Sequence, residues 1–229
     1  MEYVQLTVTA FLLQDIHFSQ ANEIISDTIN KAMLMDDELA ARHKEKGYKY
    51  YVFNSLYPLE PDKIYKKGRV YVFNIRSLDS IFINSLRLLL PQVEDVRIKI
   101  ISCSGKRIRQ RHIAELYTMT PVIVTIDGKP WTEKGDLLLL HQRLQANLEK
   151  KYKDFYHTTL TPVNNLIQRI QILNKKPIAC SYKGIKLLGS KFKIWLNDDE
   201  ISQKLGFIAV ACGLGEKNSS IGAGFCEWR

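Results

Sequence analysis

The chain has 229 residues, 45% of them hydrophobic, and a formal net charge of +9. That length suits one large domain or two of roughly 100 residues each. The apolar share implies a real core, but no apolar run approaches the ~20 residues a membrane helix needs. The positive balance points to an acidic partner, most simply nucleic acid. The four cysteines, at 103, 180, 212 and 226, form no C-x-x-C pair and have no histidine at metal-ligand spacing. They read as reduced, mostly buried thiols of an intracellular protein. Glu2 and Gln5 interrupt an N-terminus that has no basic region, so no signal peptide is expected and the chain is assigned to the cytoplasm.

Residues 3–12 alternate as a strand, with Val4, Leu6, Val8 and Ala10 on one face. Ser19 is expected to cap a helix reaching about Leu34, striped by Ile24, Ile25, Thr28, Ala32 and Met35. Asp36 to Glu38 start a second, short helix that ends before Gly47. Strands are expected at 50–56, stopped by Pro58, and at 68–75. Asp79 caps a helix that Pro91 stops, and a strand begins at Val96. The order β-α-β-β-α-β is the ferredoxin-like unit.

The second half repeats that order more loosely. Strands are expected at 121–126, 166–173, 191–195 and 225–228, with helices at 136–156 and 198–212. Leu137, Leu140, Leu144 and Leu148 share one face of the longer helix. An apolar insertion covers 178–188. The fold class is therefore α+β, two tandem ferredoxin-like units. The boundary is set near residues 115–121, a segment that carries Pro121, giving an N-terminal domain over 1–118 and a C-terminal domain over 119–229.

Residues 213–225 read Gly-Leu-Gly-Glu-Lys-Asn-Ser-Ser-Ile-Gly-Ala-Gly-Phe. Two glycine pairs, Gly213 with Gly215 and Gly222 with Gly224, frame a polar stretch holding Lys217, Asn218 and Ser219. Glycine lets backbone N–H groups turn outward and approach an anion, so the loop reads as a cradle for a phosphate backbone. The alternative is a helix cap followed by a tight turn, which accounts for one or two of the glycines. A second basic feature is Lys106, Arg107, Arg109 and Arg111. Strand alternation would set the three arginines on one face, a track for RNA phosphates; the alternative, a solvated edge strand, is disfavoured by four basic residues in six.

There is no P-loop, G-x-S-x-G or H-E-x-x-H motif, and no carboxylate pair at metal or hydrolase spacing. No cofactor and no metal are expected. Among the five histidines, His43 has the richest surroundings: a polar helix end, a glycine turn, and Lys44, Lys46 and Lys49 close by. Histidine gives and takes protons near neutrality, and lysines attract phosphate. A solvated histidine on a charged helix end fits the same residues. His141 reads as structural; His17, His112 and His157 are weaker candidates.

Three segments together resemble the CRISPR-associated endoribonucleases of the RAMP superfamily, which cut repeat RNA into guide RNAs. They are the 213–225 loop, which carries one residue more than the family's signature before its second glycine pair; Leu39 to His43 followed by Gly47 to Ser55; and Lys67 to Phe73. The resemblance covers essentially the whole chain. It implies metal-independent cleavage by the upstream ribose 2′-OH, leaving a 2′,3′-cyclic phosphate and a 5′-OH. It further implies His43 as general acid or base and Lys49 as stabiliser of the phosphorane charge. The implied partner is CRISPR repeat RNA; effector-complex proteins and a second copy of the chain are further partners left open. Some relatives carry a catalytic tyrosine on the first helix, whereas this chain has Thr28-Ile-Asn-Lys31 there. The third role is thus vacant or falls to Lys31, Lys46 or the loop. That departure keeps a second reading in play, a non-catalytic RAMP subunit that binds guide RNA within an effector complex.

Overall fold

The computed structural model describes residues 1–132, 135–160 and 165–229. The first half runs β1 (Glu2–Leu12), β2 (Ile16–His17), α1 (Phe18–Met33), α2 (Asp37–Lys44), β3 (Tyr51–Phe53), β4 (Ile64–Tyr65), β5 (Val70–Ser77), α3 (Ser80–Leu89) and β6 (Ile98–Arg109). Its main sheet has the order β3-β5-β1-β6, antiparallel throughout. Period-two alternation in β1 sends Leu6, Val8, Ala10 and Leu12 to one face. There they meet Ile24, Ile25 and Ile29 of α1 and Phe82, Ile83 and Leu86 of α3.

The second half runs β7 (Glu115–Thr118), β8 (Thr125–Ile126), β9 (Lys129–Pro130), α4 (Leu137–Tyr156), β10 (Ile167–Ile172), β11 (Ile178–Tyr182), β12 (Ile185–Gly189), β13 (Phe192–Leu196), α5 (Glu200–Cys212), α6 (Asn218–Ile221) and β14 (Cys226–Trp228). Its sheet order, β10-β13-β7-β14, reproduces the first unit's connectivity strand for strand. Both halves are ferredoxin-like, as the element order predicted. The 178–188 insertion is a hairpin, β11 paired with β12.

Three expectations are corrected. The first strand of the second unit is β7, not 121–126. Pro121 has no N–H for a ladder, and beyond it the chain makes only single bridges, Val122 to Ser190 and Ile123 to Glu216, before the short β8–β9 pair. The cap of α1 is His17, whose ring nitrogen accepts from the Ser19 backbone; Ser19 already lies inside the helix. Finally, β6 ends at Arg109, so alternation keeps Arg107 and Arg109 together and leaves Arg111 outside the strand. Because β7 pairs within the second sheet, we propose to divide the units at the crossing, residues 110–114, instead of at 118.

The units are joined by a buried cation. Arg76 of β5 is 3% exposed. Its guanidinium donates to the Gln5 side chain (2.8 Å), to the Cys226 carbonyl and to Glu227 (2.6 Å), and it lies 4.2 Å from the Phe225 ring centre. Arg76→Ala leaves these acceptors and a void between the sheets. It is expected to cost about 2–4 kcal/mol, read as a lower urea midpoint with unchanged slope. Glu227→Ala is expected to cost less, because that carboxylate is half exposed.

Candidate active site

His43 stands in the last turn of α2. Asp36 caps this helix by accepting from Leu39 N (3.0 Å), and the acidic first turn and basic last turn both suit the helix dipole. The far end is closed by Lys49, whose ammonium donates to the carbonyls of Arg42 and Glu45, the latter at 2.7 Å. Burial lowers the Lys49 pKa; Glu45 opposes that shift and Arg42 adds to it. An ammonium has three hydrogens. Two are held by these carbonyls, and the third has no acceptor among the described residues.

Arg42 fixes this helix to the rest of the unit. It pairs with Asp79, donates to Lys49 O (3.3 Å) and lies over the Phe82 ring at 5.0 Å. Asp79 meanwhile caps α3 through Ile81 N and Phe82 N. Burial tends to raise the Asp79 pKa, but the Phe82 N–H and Arg42 outweigh it and the carboxyl stays charged below its usual range. Tyr51 stacks on Phe82 and donates its hydroxyl to Ser219 O (3.1 Å). A continuous set of contacts thus links the start of α3, the end of α2, Lys49 and the glycine-rich loop.

The loop itself is packed inward. Gly213, Gly215, Gly222 and Gly224 all have positive φ and all are buried. A Cβ on Gly222 would stand 2.3 Å from Phe53 O, and one on Gly224 would stand 1.9 Å from Leu214 O. Backbone N–H groups of the loop meet protein acceptors: Leu214 donates to Gly224, Glu216 to Ile123, and Gly224 to Pro121. The glycines therefore permit close packing of the chain on itself. Asn218 is buried too, donating to Leu214 O and Ala223 O. Lys217 is exposed, and Ser219 and Ser220 are half-buried.

Beneath the loop lies a residue that sequence reasoning passed over. Lys151 of α4 is 2% exposed. Its ammonium donates to Gly213 O (2.7 Å), Gly215 O (3.0 Å) and Asn218 Oδ1 (2.7 Å). Burial pushes its pKa down to about 8. Three hydrogens meeting three acceptors is the arrangement a protonated amine requires. The available signal was its position: Leu140, Leu144, Leu148 and Lys151 form the buried stripe of α4.

Between these elements is a two-part cleft. One part, about 420 Å³, is lined by Tyr48, Lys49, Tyr50, Lys151 and residues 215–220. The other, about 220 Å³, brings His43 and Lys49 together with Ser219 and Ser220, and is also lined by Asn30 of α1 and Tyr182. Lys49 borders both. Lys31 is not among the lining residues; it pairs with Asp95 at 2.7 Å and bonds Glu94 O. Lys46 lies exposed in the turn after α2.

Lys106, Arg107, Arg109 and Arg111 are exposed at the other edge of the first sheet. Three strand spacings, roughly 14 Å, separate β6 from β3, and the structure does not bring the basic strand to the cleft. Arg107 pairs with Glu2 at 3.1 Å. The other histidines also lie apart: His112 faces Asp198, His157 caps α4 in a left-handed conformation, and burial lowers the pKa of His141.

Two ferredoxin-like units closed by a C-terminal glycine-rich loop define a RAMP protein. Solved structures agree on the fold. One described as CRISPR associated protein Cas6 has a TM-score of 0.73 at 20% identity, covering 99% of each chain. Another, described as an RAMP protein binding different RNA substrates, has a TM-score of 0.73 at 15% identity over 99% of each chain. The chain is also 27% identical to CRISPR-associated endoribonuclease Cas6 2 of Methanocaldococcus jannaschii, over 93% of this chain and 94% of that protein. The family model for the C-terminal part of CRISPR associated protein Cas6 matches residues 104–228. The chain belongs to the Cas6 family.

Lys151→Met strips the donor from three loop acceptors, and Gly224→Ala forces a side chain into Leu214 O at a φ of +69°. Each is expected to cost about 2–4 kcal/mol, a fall in Tm of roughly 5–10 °C for a chain of this size. Differential scanning calorimetry checks both. A Gly224→Ala protein with wild-type Tm would return the glycines to the role of an anion cradle.

Proposed function

We propose that this chain is a metal-independent endoribonuclease that binds CRISPR repeat RNA and cuts it to guide-length products with 2′,3′-cyclic phosphate and 5′-OH ends. The observation that carries the reading is the meeting of His43 and Lys49 on one cleft beside the glycine-rich loop, in a chain of the Cas6 family. The nucleophile is the substrate's own 2′-OH, already next to the phosphate, so a metal-bound water is not required. His43 moves the proton on one side of the phosphorus. Lys49 meets the charge that builds on the non-bridging oxygens, using the hydrogen that its two carbonyl contacts leave over.

Lys217 is proposed to hold an RNA phosphate beside the cleft, and Lys106, Arg107, Arg109 and Arg111 to hold RNA phosphates away from it, at the far edge of the first sheet. Gly213, Gly215, Gly222, Gly224 and Asn218 serve binding indirectly, by holding Ser219 and Lys217 in place. A second copy of the chain and effector-complex proteins remain proposals as partners. No described helix is long and apolar enough to cross a membrane.

His43→Ala is expected to lower the single-turnover cleavage rate by ~10²–10⁴-fold while leaving RNA affinity within about threefold of wild type. Lys49→Ala should slow cleavage and also weaken binding modestly. Wild-type cleavage should persist in EDTA. Binding without cleavage by the wild-type protein would favour the guide-RNA subunit. Loss of activity in EDTA, restored by a divalent cation, would replace the metal-independent route.

Replacing Arg107, Arg109 and Arg111 by alanine is expected to flatten the salt dependence of RNA binding. Each phosphate that is no longer neutralised takes about 0.7–0.9 off the logarithmic slope, which a fluorescence anisotropy titration at several salt concentrations measures. An unchanged slope would leave the edge merely solvated.

A further inference from the structure

The β11–β12 hairpin is an insertion between the second and third strands of the second unit, and the ferredoxin-like scaffold does not need it. It packs on α6 and β9 of its own unit and reaches across to α1 of the first. Its turn is Lys183-Gly184, with φ of +48° and +79°. Two positive values in a two-residue loop match the right-handed twist of the strands and give a stiff tip. The last strand residue before that turn is Tyr182, paired in register with Ile185.

Tyr182 is placed unusually for a hairpin-tip aromatic. One side of it packs on a small separate cluster of Ile123, Ile221 and Ala223. The rest of the residue is open to the cleft that holds His43 and Lys49. The Lys217 ammonium lies 5.5 Å from the ring centre and that of Lys183 5.6 Å. The hydroxyl has no hydrogen-bond partner among the described residues, so its hydrogen bonding does not account for the position. A purely structural tyrosine would bury its ring; a purely solvated one would not be wedged against Ile221.

A half-anchored ring flanked by flexible cations matches the chemistry of single-strand nucleic-acid platforms. A base stacks on the aromatic face, and lysines neutralise the phosphates on either side. Tyrosine suits this because few torsions must be frozen on binding. An incoming base displaces one lysine stem from the ring, and that charge remains within reach of the adjoining phosphate.

We infer that Tyr182 is a positioning residue for the substrate. Its ring stacks on the base of a nucleotide adjoining the scissile phosphate, and Lys183 and Lys217 grip the flanking phosphates. This inference rests on the endoribonuclease reading of the same cleft. The second unit then contributes the feature that fixes which phosphate lies between His43 and Lys49.

The test is abasic scanning. A series of repeat RNAs, each lacking one base, is bound to the His43→Ala protein and to His43→Ala with Tyr182→Ala, with affinity read by anisotropy. Tyr182→Ala should weaken intact RNA roughly tenfold, with Tyr182→Phe and Tyr182→Trp within about threefold of the parent. One abasic position, next to the cut mapped with wild-type protein, should cost roughly tenfold in the parent and nothing further in Tyr182→Ala. Tyr182→Leu keeps an apolar anchor on Ile221 without a π face and should behave like alanine, which guards against mere loosening of the hairpin. Equal abasic costs in both backgrounds, or a Tyr182→Phe protein as weak as Tyr182→Ala, would overturn the inference. Failure of the nuclease reading looks different: wild-type protein would leave the repeat intact, whatever the abasic profile.

Discussion

The site depends on one buried ammonium. Lys151 takes the carbonyls of Gly213 and Gly215 and the amide oxygen of Asn218, three acceptors that point inward because the loop turns back on itself. Without a donor there, a chain this tightly wound would bury unpaired oxygens, a cost of the same order as the net stability of many domains. Once the loop is pinned, Tyr51 can reach Ser219 and Asn22 of α1 can reach Ile221 O. The contacts that close the cleft then follow. Glycine supplies the backbone freedom and lysine supplies the electrostatic reason for the loop to use it.

The two ferredoxin-like units make unequal contributions. The first provides His43 and Lys49 on a short helix and the segment after it, braced by Arg42 against the capped start of α3. The second provides the loop, the buried lysine and the inserted hairpin. Arg76 ties the sheets together from below, reaching from β5 to Cys226 and Glu227. Its charge is spread over neutral acceptors, one half-exposed carboxylate and an aromatic face. That arrangement makes burying a guanidinium tolerable.

Much of this was legible in the sequence where local chemistry dictates the answer. Caps such as Asp36, Asp79 and Asp136 sit directly before their helices, and the alternation of β1 names its buried face. The repeated β-α-β-β-α-β order followed from such signals. The short strand Glu115–Thr118 was missed because four residues carry little periodicity and a nearby proline dominates the segment. The glycines were recognised as special, but a positive φ looks the same whether the backbone faces a phosphate or its own chain. Only the three-dimensional neighbours, Phe53 O and Leu214 O among them, decide between the two. The proximity of Tyr182 to His43 was beyond reach for a similar reason. It depends on how a hairpin leans across a unit boundary, and no local rule encodes that.

The residues lining the His43 cleft span the chain from α1 to Ile221. Contacts between segments so distant in sequence bear the full entropic cost of loop closure and form slowly. During synthesis, His43 and Lys49 are made early, yet they have no loop beside them until Ser219 and Ser220 have left the ribosome. A nascent chain therefore carries its proposed proton-transfer group as an ordinary surface histidine for most of its elongation. Surrounding RNA, including the ribosome's own, meets the finished cleft only after both units have been translated and docked.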